Sequence, residues 1–344
     1  MIYQNDLQIP KRSNVVAIGG GTGLSTLLSG LKHYVGAGEE FSLNDLSAIV
    51  TVSDDGGSSG RLRDELQMLP PGDIRNCMVA LSEDSNLLSR LFQHRFKCNG
   101  DLGGHSFGNL FLAALSEISG GDFVEAVRLS SEVLAIKGTI FPATDCDVRL
   151  VAEMENGTIV RGESNITGAH SVIKRLRLEP QRCSPLPEAI QAITAADIIT
   201  VGPGSLFTSL LPPLLVEDVA EAIAASSAIK IFICNLMTQP GETDNFTSGQ
   251  HLEKIKEYAP EIDFDFVVVN SRPISAVQTA RYASEGAHQI GLGDSLSPVL
   301  RGKSVELVRA ELLDEGEKVR HNPEKLAQVV LDCALKAEVE FAAY

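Results

Sequence analysis

Apolar positions set the rhythm of the chain. Val15, Val16, Ala17 and Ile18 form a continuous apolar run. After Gly19-Gly20-Gly21-Thr22-Gly23, Leu24, Leu27, Leu28 and Leu31 recur at i, i+3, i+4 and i+7. The first pattern predicts a strand buried on both faces, the second a helix with one apolar stripe. A second apolar run, LSAIVTV, is stopped by Asp54, Asp55 and two glycines. Strand, helix and strand in this order predict a β-α-β unit, and hence a parallel sheet with a right-handed crossover.

Residues 60–135 carry mainly helical spacing, and the segment GNLFLAALSEI is apolar on most faces, as for a deeply buried helix. Between 139 and 182 the period changes. Two alternating runs flank Asn156-Gly157, the strongest short hairpin signal. This predicts a small antiparallel insertion around 145–180 within a single α/β domain spanning 14–344, after a flexible leader of residues 1–13. The alternation then resumes, with helical PEAIQAITAAD, strand IITVGP, one or two helices in SLFTSLLPPLLVEDVAEAIAAS, strand IKIFICNLM, helix TSGQHLEKIKEYA and strand FDFVVVN. Asn322-Pro323 forms an N-cap and first-turn pair that opens the last helix.

Composition narrows the partners. The 344 residues carry a net charge of −16, which argues against a nucleic-acid partner held through its phosphates. Backbone N–H groups and a few arginines can still hold a small anion. With five Tyr, thirteen Phe and no Trp, stacking on aromatic rings is not a general binding strategy here. The six cysteines, at 77, 98, 146, 183, 234 and 333, show no metal-binding spacing. In a chain this long they read as reduced thiols in the cytoplasm. The polar N-terminal stretch shows no secretion signal. No run approaches the roughly 20 apolar residues of a membrane helix, so membrane insertion is not expected.

Chemistry is expected at the carboxyl ends of the strands, near the point where strand order reverses. Four loops qualify. The first holds Gly20, Gly21, Thr22 and Gly23. It is not a G-x-G-x-x-G fingerprint, since position 24 is Leu, and no Gly-Lys-Ser/Thr follows, so neither NAD nor ordinary NTPase chemistry is indicated. Glycines before a helix still let backbone N–H groups meet a phosphate, although the same turn could serve packing alone. The second loop, VSDDGGSSGRLRDEL, places Asp54 and Asp55 where they could accept from ribose hydroxyls or hold magnesium, with Arg61 and Arg63 just beyond. PPGDIRNC follows with Asp73, Arg75 and Asn76. The third, VGPGSLFTS, repeats the strand–glycine–helix pattern with Gly202, Gly204 and Ser205; with the first it could bracket a diphosphate. The fourth, residues 235–252, is rich in hydrogen-bonding side chains. His105 is the one histidine in a polar setting, able to meet a ligand or to tie its loop to a helix. No HExxH, nucleophile elbow or other catalytic constellation is present.

The segments AIGGGTGLSTLLSGLK, IVTVSDDGGSSGRLR, PPGDIRNC, GHSFGNLFLAAL, ADIITVGPGSLFTSLLPPLLV, NLMTQPGETDNFT and RHNPEKLA occur in order along about residues 14–335. Together they resemble the bacterial gluconeogenesis factors, a family similar in fold to 2-phospho-L-lactate transferase of deazaflavin coenzyme synthesis. The resemblance implies a Rossmann-like, doubly wound α/β fold and a cytoplasmic regulator that binds UDP-sugars, notably UDP-N-acetylglucosamine. It further implies influence on carbon flow into cell-wall precursors and a requirement for cell shape under gluconeogenic growth. By the same resemblance, Tyr282 and Arg320 take part in nucleotide-sugar binding, and the uridine and diphosphate lie across the first and third loops. Asn109, in the GHSFGN segment, joins the ligand-binding set. The other expectations are a homo-oligomer and a partner enzyme of amino-sugar or cell-wall precursor synthesis. No cofactor is required; magnesium is an optional ion, which Asp54 and Asp55 could hold. The alternative to a non-catalytic regulator is a magnesium-dependent phospho-transferase acting on a nucleotide-activated substrate. Where the transferases carry an Asp-rich catalytic segment, this chain has GDLGGHSFGN, so the reaction does not transfer with the fold.

Overall fold

The structure is a computed structural model that describes residues 11–36, 41–83, 86–291 and 305–342. In chain order the strands are β1 (Lys11–Gly19), β2 (Phe41–Val50), β3 (Thr139–Pro142), β4 (Arg149–Met154), β5 (Ile159–Arg161) and β6 (Ile173–Glu179). They continue with β7 (Ile198–Val201), β8 (Ile229–Ile233), β9 (Phe266–Asn270), β10 (Glu306–Ala310), β11 (Leu313–Glu315) and β12 (Val319–His321). The helices are α1 (Gly21–Leu31), α2 (Gly57–Leu66), α3 (Gly72–Leu81), α4 (Asn86–Gln93), α5 (Phe107–Ile118), α6 (Phe123–Leu134) and α7 (Glu163–Gly168). Then come α8 (Pro187–Ala195), α9 (Leu211–Leu214), α10 (Val219–Ala225), α11 (Ser248–Tyr258), α12 (Ala276–Ser284) and α13 (Pro323–Ala342).

Seven strands form one parallel sheet in the order β10-β9-β8-β7-β1-β2-β3. The chain leaves β1 in one direction through β2 and β3, then returns to β7 and runs the other way. Strand order therefore reverses between β1 and β7, the doubly wound arrangement that opens a crevice at their carboxyl ends. The continuous apolar runs follow from cover on both faces: Val15, Val16, Ala17 and Ile18 are buried, as are all four residues of β7. The apolar stripe of α1 seats Leu24, Leu27, Leu28 and Leu31 in the core, and α1 packs against α3 and α13.

The insertion is an antiparallel sheet of three strands, β5-β4-β6, with the Asn156-Gly157 turn between β4 and β5. Its third strand, IKRLRLE, buries Ile173, Leu176 and Leu178 on its covered face, with two exposed residues in a row at Lys174 and Arg175 where the pairing with β4 shifts register. Three boundaries differ from expectation. β1 starts at Lys11, paired with Phe41, so residues 11–13 belong to the sheet and not to a leader; residues 1–10 lie outside the described residues. β2 stops at Val50, where Thr51 N–H donates to Gly19 C=O and Ala143 N–H donates to Val50 C=O. Asp54 and Asp55 consequently sit in the loop before α2 and not at a strand tip. The segment after β7 opens as a wide π-helical turn, Leu206–Leu210, continued by α9. As expected, Asn322 caps α13, its Oδ1 accepting from Lys325 N–H at 3.0 Å.

Candidate functional site

A cleft of about 610 Å³ opens at the switch point, over the carboxyl ends of β1, β7 and β8. Its floor is backbone. Gly20 is extended, and α1 starts at Gly21 with no side-chain cap and no acidic residue in its own first turn. The first N–H groups of α1 bear the helix's partial positive charge. Close approach explains two glycines. A Cβ on Gly23 would lie 2.3 Å from the Pro203 carbonyl oxygen, and one on Gly20 would lie 2.6 Å from an Asp73 carboxylate oxygen.

The second glycine loop is a wall more than a cradle. Gly204 N–H donates to Asn235 Oδ1 at 3.0 Å, and Ser205 Oγ donates to Glu242 Oε2 at 2.8 Å. Thr167 Oγ1 donates to the other oxygen of Glu242 at 3.0 Å. The amide and hydroxyl expected to meet a phosphate therefore already have acceptors, supplied by the loop after β8. Gly202 sets the turn: its φ is +94°, and a Cβ there would meet Ile233 C=O at 2.5 Å. It does not line the cleft.

The far wall is the hairpin β11–β12 with α12. Arg281 Nη1 donates to Glu317 C=O, Gln278 Nε2 to Gly316 C=O at 2.8 Å, and Val319 N–H to the Tyr282 hydroxyl at 3.1 Å. These bonds hold Lys318 and Arg320 over the α1 terminus, and both line the cleft together with Tyr282. Gly20, Gly21, Thr22, Gly23, Gly204, Ser205, Tyr282 and Arg320 are thus brought together, although they come from opposite ends of the sequence.

Charge is unevenly placed. Burial, with Asp54 adding repulsion, lifts the Asp73 carboxyl to about 6 against a hydrogen bond from Gly21 N–H. Burial likewise lifts Glu163 to about 9, with Asp54, Asp73, Asp55 and Glu242 adding to it, so this side chain keeps its proton at neutral pH. Glu242 is raised by burial while its bonds from Ser205 and Thr167 oppose the shift. His321, buried beside Arg320 in sequence, is pushed down to about 4 by burial and is a neutral ring.

Four expected residues sit elsewhere. Asp54 Oδ1 accepts from Gly56 N–H at 2.8 Å, and Asp55 Oδ1 accepts from Ser164 N–H at 2.9 Å, pinning the start of α7. Neither lines the cleft. Among the described residues no group of three or more His, Cys, Asp or Glu is placed to hold a metal ion. Asn109 is buried in α5 and donates to Ser58 Oγ at 3.1 Å, while Ser58 Oγ also meets His105 Nδ1 at 2.9 Å. This network ties α5 to α2, which answers the question of His105. With Gly202, these positions lie outside the lining of the cleft. Glu163, Lys318 and His321 were not named as site residues: Glu163 enters from the antiparallel insertion and Lys318 from the β11–β12 hairpin, with no motif of their own, and His321 stands inside the RHN motif beside Arg320.

The fold and cleft define a doubly wound α/β protein whose switch-point cleft is lined by the glycine start of α1 and by Lys318 and Arg320 of the β11–β12 hairpin. The chain belongs to the family described as 2-phospho-L-lactate transferase CofD, whose model matches residues 15–313. It is 45% identical to the gluconeogenesis factor of Halalkalibacterium halodurans over 94% of this chain and 97% of that protein. It is 44% identical to the gluconeogenesis factor of Bacillus subtilis over 94% of this chain and 98% of that one. A crystal structure of a UPF0052 family member from Bacillus halodurans superposes with a TM-score of 0.86 at 46% identity, covering 93% of this chain and 99% of that chain.

Proposed function

We propose that this protein is a gluconeogenesis factor that binds a nucleotide sugar, UDP-N-acetylglucosamine or a close relative, in the switch-point cleft. In this reading it regulates carbon flow into cell-wall precursors in the cytoplasm and supports cell shape during gluconeogenic growth. One observation carries the reading. The glycine start of α1, of which Gly21 N–H already meets the Asp73 carboxyl, shares with Arg320 and Lys318 a cleft whose volume falls in the range of small-molecule sites. Backbone N–H groups on one side and a guanidinium on the other are complementary to a diphosphate. Tyr282 offers a ring beside them. Signalling through a partner enzyme of precursor synthesis and assembly as a homo-oligomer belong to the same proposal. Among the described residues no helix is long and apolar enough to cross a membrane.

Calorimetry with UDP-N-acetylglucosamine tests the reading. Wild type should release or absorb heat on binding. Arg320→Ala should weaken binding by about tenfold to a hundredfold, the loss of one charge-assisted contact to phosphate. A wild-type protein that is folded and gives no binding refutes the proposal.

A further inference from the structure

A second cavity, of about 580 Å³, lies on the other side of Thr22 and Thr26. It is cationic in a chain with 45 acidic and 29 basic residues. Lys32, Arg75, Arg95 and Arg320 line it, and no carboxylate does among the described residues. Arg75 is only 9% exposed. Its Nη1 donates to Ser106 Oγ at 2.7 Å and its Nη2 to Asn76 Oδ1 at 2.5 Å, but its buried Nε has no hydrogen-bond partner. That Nε is closed to solvent and out of a ligand's reach; it is the four cations around one cavity, with no carboxylate among the described lining residues, that favour an anion. Burial and the neighbouring Arg95 charge lower the pKa of Arg75, partly opposed by Asp73 and Asp54, and a bound anion would oppose them further.

The polar remainder of the lining is complementary in the opposite sense. Ser25 Oγ and Thr26 Oγ1 donate to Thr22 C=O at 3.0 and 2.8 Å, and Ser29 Oγ donates to Thr26 C=O at 2.8 Å. Each hydroxyl proton is committed to the helix backbone, so these oxygens act toward the cavity as acceptors. Acceptors bind ligand hydroxyls, while the arginines bind the anion. We infer that this cavity is a binding site for a small phosphorylated polyhydroxy compound, a sugar phosphate, separate from the nucleotide-sugar cleft. Arg320 borders both cavities, so the two sites share one cation. The inference does not depend on the nucleotide-sugar reading.

Thermal-shift and calorimetric titrations with glucose 6-phosphate, inorganic phosphate and glucose, all without nucleotide, provide the test. Glucose 6-phosphate should bind in the millimolar range or tighter, inorganic phosphate more weakly, and glucose not at all. Arg95 is exposed and holds only the Gly104 carbonyl, so Arg95→Ala should fold. It should weaken glucose 6-phosphate by about tenfold or more and leave UDP-N-acetylglucosamine binding in place. Arg320→Ala should weaken both ligands. Failure of glucose 6-phosphate to bind folded wild type overturns the inference, as does binding that Arg95→Ala leaves untouched. Absence of nucleotide-sugar binding would refute the other proposal and leave this one standing.

Discussion

His321 makes the cleft sensitive to acid, and the size of the effect follows from its burial. The side chain is 7% exposed, its Nε2 has no hydrogen-bond partner, and its pKa falls from the ordinary 6.5 to about 4. Burial is the main cause, partly opposed by a bond to the Cys234 backbone. Between these two values the unfolded chain binds a proton that the folded chain refuses. Stability is therefore complete above pH 6.5 and declines as pH falls toward 4. At about 1.4 kcal/mol per pH unit, the full loss is roughly 3 kcal/mol. Replacing the ring with a group that does not titrate, His321→Gln, removes this loss whatever fixed cost the substitution carries. Urea unfolding of both proteins at steps from pH 7 to pH 4 reads it directly. The difference between them should be constant above pH 6.5 and then shift by roughly 3 kcal/mol in favour of the variant by pH 4. Parallel curves would show that His321 is protonated in the folded cleft and would refute the reasoning.

Two more outcomes test the surrounding walls. Glu163 is raised to about 9, so it contributes full stability below about 4.5 and loses it as pH rises through 9. The side chain is half-buried against a wet cleft, which screens the effect, and Glu163→Gln should add about 1–3 kcal/mol at pH 8 and almost nothing near pH 4.5. Thermal unfolding across that range checks it, and an equal gain at both ends would contradict the burial argument. Gly23→Ala would drive a methyl group against the Pro203 carbonyl oxygen, where a Cβ would sit at 2.3 Å. The two glycine loops must separate, at a cost of about 1–3 kcal/mol in stability, with loss of nucleotide-sugar binding in calorimetry; an unchanged melting temperature would mean that the loops are not in contact.

Much of this molecule is local pattern. The apolar runs of β1, β7, β8 and β9 and the stripe of α1 are visible because each element buries its residues at its own period. Asn156-Gly157 and Asn322-Pro323 are visible because turns and caps need particular side chains. Other elements escaped for physical reasons. α12 buries none of its residues, so it shows no strong stripe, and β11 and β12 are three residues each, too short for any period to register. Motif recognition found Tyr282 and Arg320, but composition alone would not have chosen an exposed arginine on a short hairpin.

The sequence by itself determined the β-α-β start, the α/β class, the antiparallel insertion and the glycine start of α1, because those depend on neighbours within a few positions. Only the tertiary structure decided the rest. It placed the reversal of strand order between β1 and β7, which assembles one cleft from residues some three hundred positions apart. It occupied Gly204 N–H and Ser205 Oγ with Asn235 and Glu242, removing half of the expected phosphate clamp. It left Asp54, Asp55 and Asn109 outside the cleft lining, bonded to Gly56, Ser164 and Ser58. Whether a polar group is available to a ligand depends on which distant partner reaches it first, and no local pattern records that.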